Sequence, residues 1–213
     1  MLRIITGKQR SGKSYYCTKT MLDVLRNTEM AICTNMPIKP DEMVKLLSSD
    51  LEEQQQYLER IKVLTHEEVP EFWRHKLPNS SIFLDELYQV FSTMNRQGIN
   101  DELLSYSRQH GHYKDELYLV SHDFNDLNHH IKRGAQQVVE VRNAKYTNMF
   151  GNFWLLRGLR WPIQFFMITI RDGYTSPDIL EYFNIFPKKE IFNCYDSFAA
   201  AEGLPGMPLP DDD

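Results

Sequence analysis

The sequence predicts an α/β fold: a mostly parallel β-sheet flanked by helices, with a helical insertion and a C-terminal β-rich extension. Three observations predict it. Short apolar runs of strand length alternate with longer stretches of helical spacing, the pattern of a parallel sheet covered on both faces. A glycine- and lysine-containing loop, Gly7 to Ser14, stands between the first such run and the first helical stretch. A later apolar run, Ser81 to Leu87, ends in two adjacent carboxylates, Asp85 and Glu86.

The elements follow in order. Leu2 to Thr6 is a short apolar run closed by glycine, a buried strand. Lys13 to Arg26 has no Gly or Pro and carries Tyr15, Met21, Leu22 and Leu25 at roughly helical spacing. Met30 to Thr34 is a second strand, closed by the turn Asn35-Met36-Pro37. Residues 41–64 are charged and helix-prone around EEQQQYLER, a helical insertion on the surface. Ser81 to Leu87 is the next strand, Asn100 to His110 a helix, Glu116 to Val120 a strand, Asp123 to Arg133 a helix and Gln137 to Arg142 a strand.

Residues 142–198 differ in character. From 142 to 171 the segment holds Arg142, Lys145, Arg157, Arg160 and Arg171 among seven aromatics, with no acid between the ends. It reads as two strands joined by a turn near Arg157-Gly158, in a basic, aromatic extension of one domain spanning 1–198. Residues 199–213 are acidic and Pro-rich, the composition of a disordered tail.

Bulk properties narrow the function. A net charge of −5 excludes a wholly polybasic nucleic-acid binder, so any DNA contact must come from a local patch. Cys17, Cys33 and Cys194 form no CxxC pair and read as reduced thiols. The apolar stretch Phe153 to Ile170 is interrupted by Arg157, Arg160 and Pro162, and its uncharged part is too short to span a bilayer as a helix. No membrane span is expected. Five of the seven histidines fall between His110 and His130, but they lie on different predicted elements and no cysteine accompanies them, so a metal site is not expected there.

The chemistry is carried by Gly7-Lys8-Gln9-Arg10-Ser11-Gly12-Lys13-Ser14, which fits GxxxxGK[ST] at every fixed position. The glycines let the backbone curl so that several N–H groups point at one anion, and the following helix adds its positive end. In this P-loop, Lys13 reaches the β- and γ-phosphates and the Ser14 hydroxyl binds Mg²⁺. Gly7, Gln9, Arg10, Ser11, Gly12, Lys13, Ser14 and Tyr15 are the expected nucleotide-binding residues. Chance would supply the pattern in roughly one chain in a hundred of this length, given Gly near 7%; chance does not also place it between a strand and a helix.

Asp85 is the expected partner of Mg²⁺, as the Walker B aspartate is, and with Ser14 it completes the metal site. Glu86 is placed to deprotonate the attacking water. A kinase does not need this pair to polarise water, so the pair favours hydrolysis. Ser121 or His122, at the end of the next strand, is a candidate γ-phosphate sensor; the alternative for Ser121 is a helix cap. Arg108 and Arg133 are candidate fingers on a neighbour's nucleotide, weighed against ordinary surface ion pairs.

These segments resemble the ATPase domain of zonula occludens toxin (Zot)-like proteins, the filamentous-phage assembly ATPases, within a RecA/HerA-like, HerA/FtsK-type group that also holds packaging ATPases of membrane-containing viruses. The resemblance rests on IITGKQRSGKSYYC, AICTNMPI, IFLDELYQVF, SRQHGHYKDELYLVSHDFNDLNHHIKR and IFNCYDSF, in the family's order over most of residues 1–198. It implies ATP and Mg²⁺ as cofactors and a homo-oligomeric ring. It implies viral DNA as partner, with capsid or virion membrane proteins beside it, in the host cytoplasm or the virion. Arg108 falls where the family has an Arg in a short RHxG-like stretch. Ser121-His122 stand where the family often has Thr-Gln. Filamentous-phage members usually continue into a membrane-spanning helix, whereas this chain ends in an acidic tail, which favours a soluble packaging motor. The expected function is a DNA-translocating ATPase of genome packaging or virion assembly. The alternatives are an assembly or scaffold factor that moves no DNA, and a small P-loop kinase.

Overall fold

A computed structural model describes residues 1–85, 101–146, 164–173 and 178–196. The strands are β1 (Leu2–Thr6), β2 (Ala31–Thr34), β3 (Ile61–Val63), β4 (Ser80–Leu84), β5 (Glu116–Ser121), β6 (Gln137–Asn143), β7 (Phe166–Asp172) and β8 (Ile179–Ile185). The helices are α1 (Lys13–Asn27), α2 (Pro40–Leu47), α3 (Leu51–Glu59), α4 (Phe72–His75), α5 (Asp101–Gln109), α6 (His129–Gly134) and α7 (Lys189–Phe192).

The eight strands form one sheet in the order β3-β2-β4-β5-β1-β6-β7-β8. The first six are parallel; β7 and β8 are antiparallel to their neighbours. The pleat sorts each strand onto two faces. Ile5, Phe83, Tyr118 and Val120 join Tyr15, Cys17, Met21 and Leu25 of α1 in one core cluster. Ile4, Ile82, Leu84, Leu117 and Leu119 join Leu103 and Tyr106 of α5 and Ile131 of α6 in the other. The result is a three-layer sandwich, and the parallel strands gather their C-terminal ends along one edge.

The sequence expectations name neither α4 nor α7, and they differ from this architecture in three of the elements they do name. The 41–64 insertion is two short helices, α2 and α3, followed by β3, which adds to the sheet edge beside β2. Three residues are too few for periodicity to reveal a strand. Asp123 to Arg133 is not one helix: the Asp123 side chain accepts from Asn125 N and the Asn128 side chain from His130 N, giving two successive caps, a 3₁₀ turn at Phe124–Asp126 and only then α6. Past Arg142, β7 is one of the two expected strands, and β8 is a further one. The turn near Arg157-Gly158 and the 199–213 tail lie outside the described residues, as does Glu86. Among the described residues no helix is long and apolar enough to cross a membrane.

The basic segment is also less basic than its sequence implies. Glu140, just before it on β6, takes the Arg142 guanidinium at 2.6 Å and that of Arg171 at 3.6 Å. Antiparallel pairing of β6 with β7 brings Arg171 back alongside β6.

Candidate functional site

The loop Gly7–Ser14 leaves the C-terminal end of β1 and enters α1. Its curl is visible in the backbone: Arg10 has φ 61° and Gly12 φ 100°, both in the left-handed region, and Ser11 N donates to Lys8 O at 3.1 Å. Gly12 is the N-cap of α1 and offers no side-chain acceptor to the first turn, so those N–H groups are left for another acceptor. The buried Ser11 hydroxyl likewise has no hydrogen-bond partner among the described residues. Both features suit an anion, and a phosphate fits this donor set.

Glycine is required at two points by contact as well as by φ. A Cβ at Gly7 would overlap the Val141 carbonyl oxygen, and one at Gly12 would overlap the Phe166 ring. The loop is therefore braced from the C-terminal extension. Asn143 Nδ2 donates to Arg10 O at 3.3 Å. Phe166 packs on Tyr15 with ring centroids 5.1 Å apart, and Tyr15 Oη accepts from Lys188 N at 2.9 Å. The Tyr15 side chain, 1% exposed, belongs to the core. What Tyr15, one of the expected nucleotide-binding residues, presents beside the loop is its backbone N–H, in the first turn of α1.

Lys13 is 6% exposed. Its ammonium donates to Gly7 O at 2.7 Å and Lys8 O at 3.2 Å, and it lies 3.0 Å from His122 Nδ1. Burial lowers its pKa below the ordinary lysine value, and the nearby Asp85 carboxylate pulls the other way. Ser14 is half-buried one residue further along α1.

Asp85 follows β4. Strand β4 is not beside β1: β5 lies between them, in register Phe83↔Tyr118 on one side and Arg3↔Tyr118 on the other. The Asp85 backbone is held from β2. Asn35 Oδ1 accepts from Asp85 N at 2.7 Å, and Asn35 Nδ2 donates to Asp85 O at 3.0 Å. The sequence reading did not single out Asn35 for a role at the site. Its signal was positional: a polar residue just past a buried strand in a parallel sheet.

At the end of β5 the two candidates divide. The Ser121 hydroxyl, buried, donates to Asp123 O at 2.8 Å and is engaged in the local turn. His122 meets Lys13. Of the two candidates expected here, the Ser121 hydroxyl serves the turn, and the His122 ring contacts Lys13.

Arg108 is exposed in the last turn of α5, which leads into the N-terminal end of β5, opposite the edge that carries the loop. The His130 pKa is lowered by desolvation first, then by His129, Arg108 and Arg133. Arg108 and Arg133 thus belong to one cationic face of α5 and α6, away from the loop of their own chain.

The model of the family "Zonular occludens toxin (Zot)" matches residues 1–201 of the chain. No curated protein sequence matches it. Among solved structures, the N-terminal domain of zonular occludens toxin from Neisseria meningitidis is similar at TM-score 0.57 and 14% identity, over 92% of this chain and 98% of that one. The genome packaging NTPase B204 from Sulfolobus turreted icosahedral virus 2, in complex with ATP-gammaS, is similar at TM-score 0.55 and 13% identity, over 88% and 97%. The flagellar accessory protein FlaH from Methanocaldococcus jannaschii is similar at TM-score 0.55 and 12% identity, over 86% and 83%. At these identities the likeness is one of fold.

Proposed function

We propose, from the premise that this chain belongs to the zonular occludens toxin family, that it is an ATP-hydrolysing motor that moves viral DNA during genome packaging or virion assembly. The observation that carries the hydrolytic part is the pairing of the loop after β1 with Asp85 after β4 across the intervening β5. In this reading the γ-phosphate lies between Lys13 and Asp85.

In this reading the N–H groups of Gly7–Tyr15 and the Lys13 ammonium hold the phosphates of ATP, with the Ser11 hydroxyl as a further donor. Ser14 and Asp85 are the residues that would hold Mg²⁺, which when bound neutralises phosphate charge. Glu86 accepts a proton from water as the water oxygen bonds to the γ-phosphorus and the bridging P–O bond breaks, giving ADP and phosphate. The Asn35 clamp fixes where the Asp85 backbone leaves β4. Arg108 acts from a neighbouring copy in a ring, since its own loop is at the other end of the sheet.

The fold shared with a virus packaging NTPase supports the DNA-moving part. The test is ATP turnover with and without double- and single-stranded DNA. Stimulation by DNA, with directional displacement of a labelled strand or duplex, is expected. The family match favours one other reading, an assembly factor that hydrolyses ATP and moves no DNA. DNA-independent turnover selects that reading.

A further inference from the structure

Lys13 has three ammonium donors and, among the described residues, three hydrogen-bond acceptors: the Gly7 and Lys8 carbonyls and His122 Nδ1. An ammonium cannot accept, so Nδ1 must carry the lone pair and the ring proton must sit on Nε2. The three acceptors are not equivalent. The two carbonyls are backbone of the loop itself and stay beside Lys13 as long as the loop is folded. His122 is an exposed side chain at the end of β5, free to rotate about its own bonds and 109 residues away in sequence.

A phosphate oxygen arriving in the loop competes for the same ammonium, and the imidazole is the acceptor that can yield. We infer that His122 is a stand-in acceptor for Lys13: its Nδ1 accepts from the ammonium and is exchanged for a phosphate oxygen when nucleotide binds. The inference rests on the reading of Gly7–Ser14 as a nucleotide site and deepens it. It also accounts for the division of labour at the end of β5, where the Ser121 hydroxyl is engaged by Asp123 O and only His122 is turned toward Lys13.

Two measurements test it on the full chain at a pH where histidine is neutral. The first is the ring nitrogen spectrum of ¹⁵N-labelled protein, with the His122 signals assigned by their loss in His122→Asn. Without nucleotide, Nδ1 should show the shift of an unprotonated, hydrogen-bonded nitrogen, and saturating Mg²⁺–ATPγS should move it to that of a freed ring. The second is affinity for a fluorescent ATP analogue. His122→Ala removes the competing acceptor, so it should bind about 3- to 10-fold more tightly, the worth of one part-buried hydrogen bond. His122→Asn keeps an acceptor oxygen at the Nδ1 position and should return to wild-type affinity. A ring signal that ignores bound nucleotide, or weaker or unchanged binding by His122→Ala, overturns the inference. Failure of the wild-type chain to bind the analogue at all overturns the nucleotide-site reading beneath it, a result separable from the other two.

Discussion

Asn35 closes both of its amide hydrogen bonds on the backbone of Asp85, accepting from its N–H at 2.7 Å and donating to its carbonyl at 3.0 Å. The side chain thereby continues the β2–β4 ladder one step past Thr34↔Phe83, the last of the paired positions. A carboxylate expected to hold Mg²⁺ thus has its backbone fixed by a residue that need not touch metal. Asn35→Ala should retain ATP binding, because the phosphate loop is intact. It should lower turnover and apparent Mg²⁺ affinity about 10- to 100-fold, the usual consequence of losing an outer-shell partner. An ATPase assay across a Mg²⁺ titration reads both. Wild-type turnover at low Mg²⁺ would separate Asn35 from the metal site.

The three roles assigned to Lys13, Glu86 and Arg108 predict three different defects. Lys13→Ala should lose tight ATP binding, since its ammonium is the buried charge of the loop. Glu86→Gln should bind ATP and fail to turn it over. Arg108→Ala should bind ATP and turn it over slowly, and mixing it with Glu86→Gln protein should restore part of the activity through interfaces that pair an intact Arg with an intact Glu. Full turnover by Glu86→Gln would remove it as the base. No recovery on mixing would remove Arg108 as a residue acting between copies.

Gly12 faces two obstacles to substitution: φ 100° and the Phe166 Cε1 atom 2.5 Å from where a Cβ would sit. Gly12→Ala should lower stability by about 1–3 kcal/mol through strain and overpacking, and should disturb the α1 N-terminus. Adding Phe166→Leu should recover the steric part and leave the backbone part. Denaturant unfolding of the two single variants and the double variant measures this coupling, and strictly additive effects would show that the ring is not the obstacle.

At the opposite end of the sheet Asp115, 1% exposed, accepts from Ser80 N at 2.9 Å and from Tyr106 Oη at 2.7 Å, and pairs with Lys76 Nζ at 2.8 Å. Asp115→Ala leaves three buried or part-buried donors without their acceptor and should cost about 3–5 kcal/mol. Asp115→Asn keeps one acceptor oxygen and should cost less. The same unfolding experiment ranks them, and equal losses would mean that the carboxylate charge, rather than its hydrogen bonds, holds the site.

The legibility of the molecule follows the range of its interactions. The Gly7–Ser14 loop and β1, α1, β4 and β5 are written in contiguous residues, and local pattern recovers them. The Asn35–Asp85 clamp spans 50 residues and the Lys13–His122 contact 109, so neither leaves a local trace. His122 could be placed at the strand end, but only the order β4-β5-β1 turns it toward Lys13. β3 was hidden by its length. α6 was overextended because Asp123 and Asn128 are both good caps, and spacing alone does not say that both are used.

The same limit bears on the DNA surface, and there the structure changes the expected arithmetic. Five cations stand between Arg142 and Arg171 in sequence, yet Arg142 and Arg171 both face Glu140 across β6 and β7. A carboxylate in contact with a guanidinium offsets the charge that would otherwise attract phosphate, so these two should contribute little to DNA affinity. Arg157 and Arg160, outside the described residues, and Lys145, exposed just after β6, are what remain. Each phosphate neutralised releases counterions, and the slope of log affinity against log salt counts them. Arg157→Ala with Arg160→Ala should flatten that slope by roughly two units on duplex DNA, or by about 1.4 on a single strand, whereas Arg142→Ala with Arg171→Ala should change it by less than about one. Glu140→Gln should do the reverse and steepen it, because it frees both guanidinium groups at once. A flat response to Arg157 and Arg160 in folded protein would move the DNA-binding surface elsewhere, first to Lys132 and Arg133 on α6 and to Lys188 and Lys189 at the start of α7.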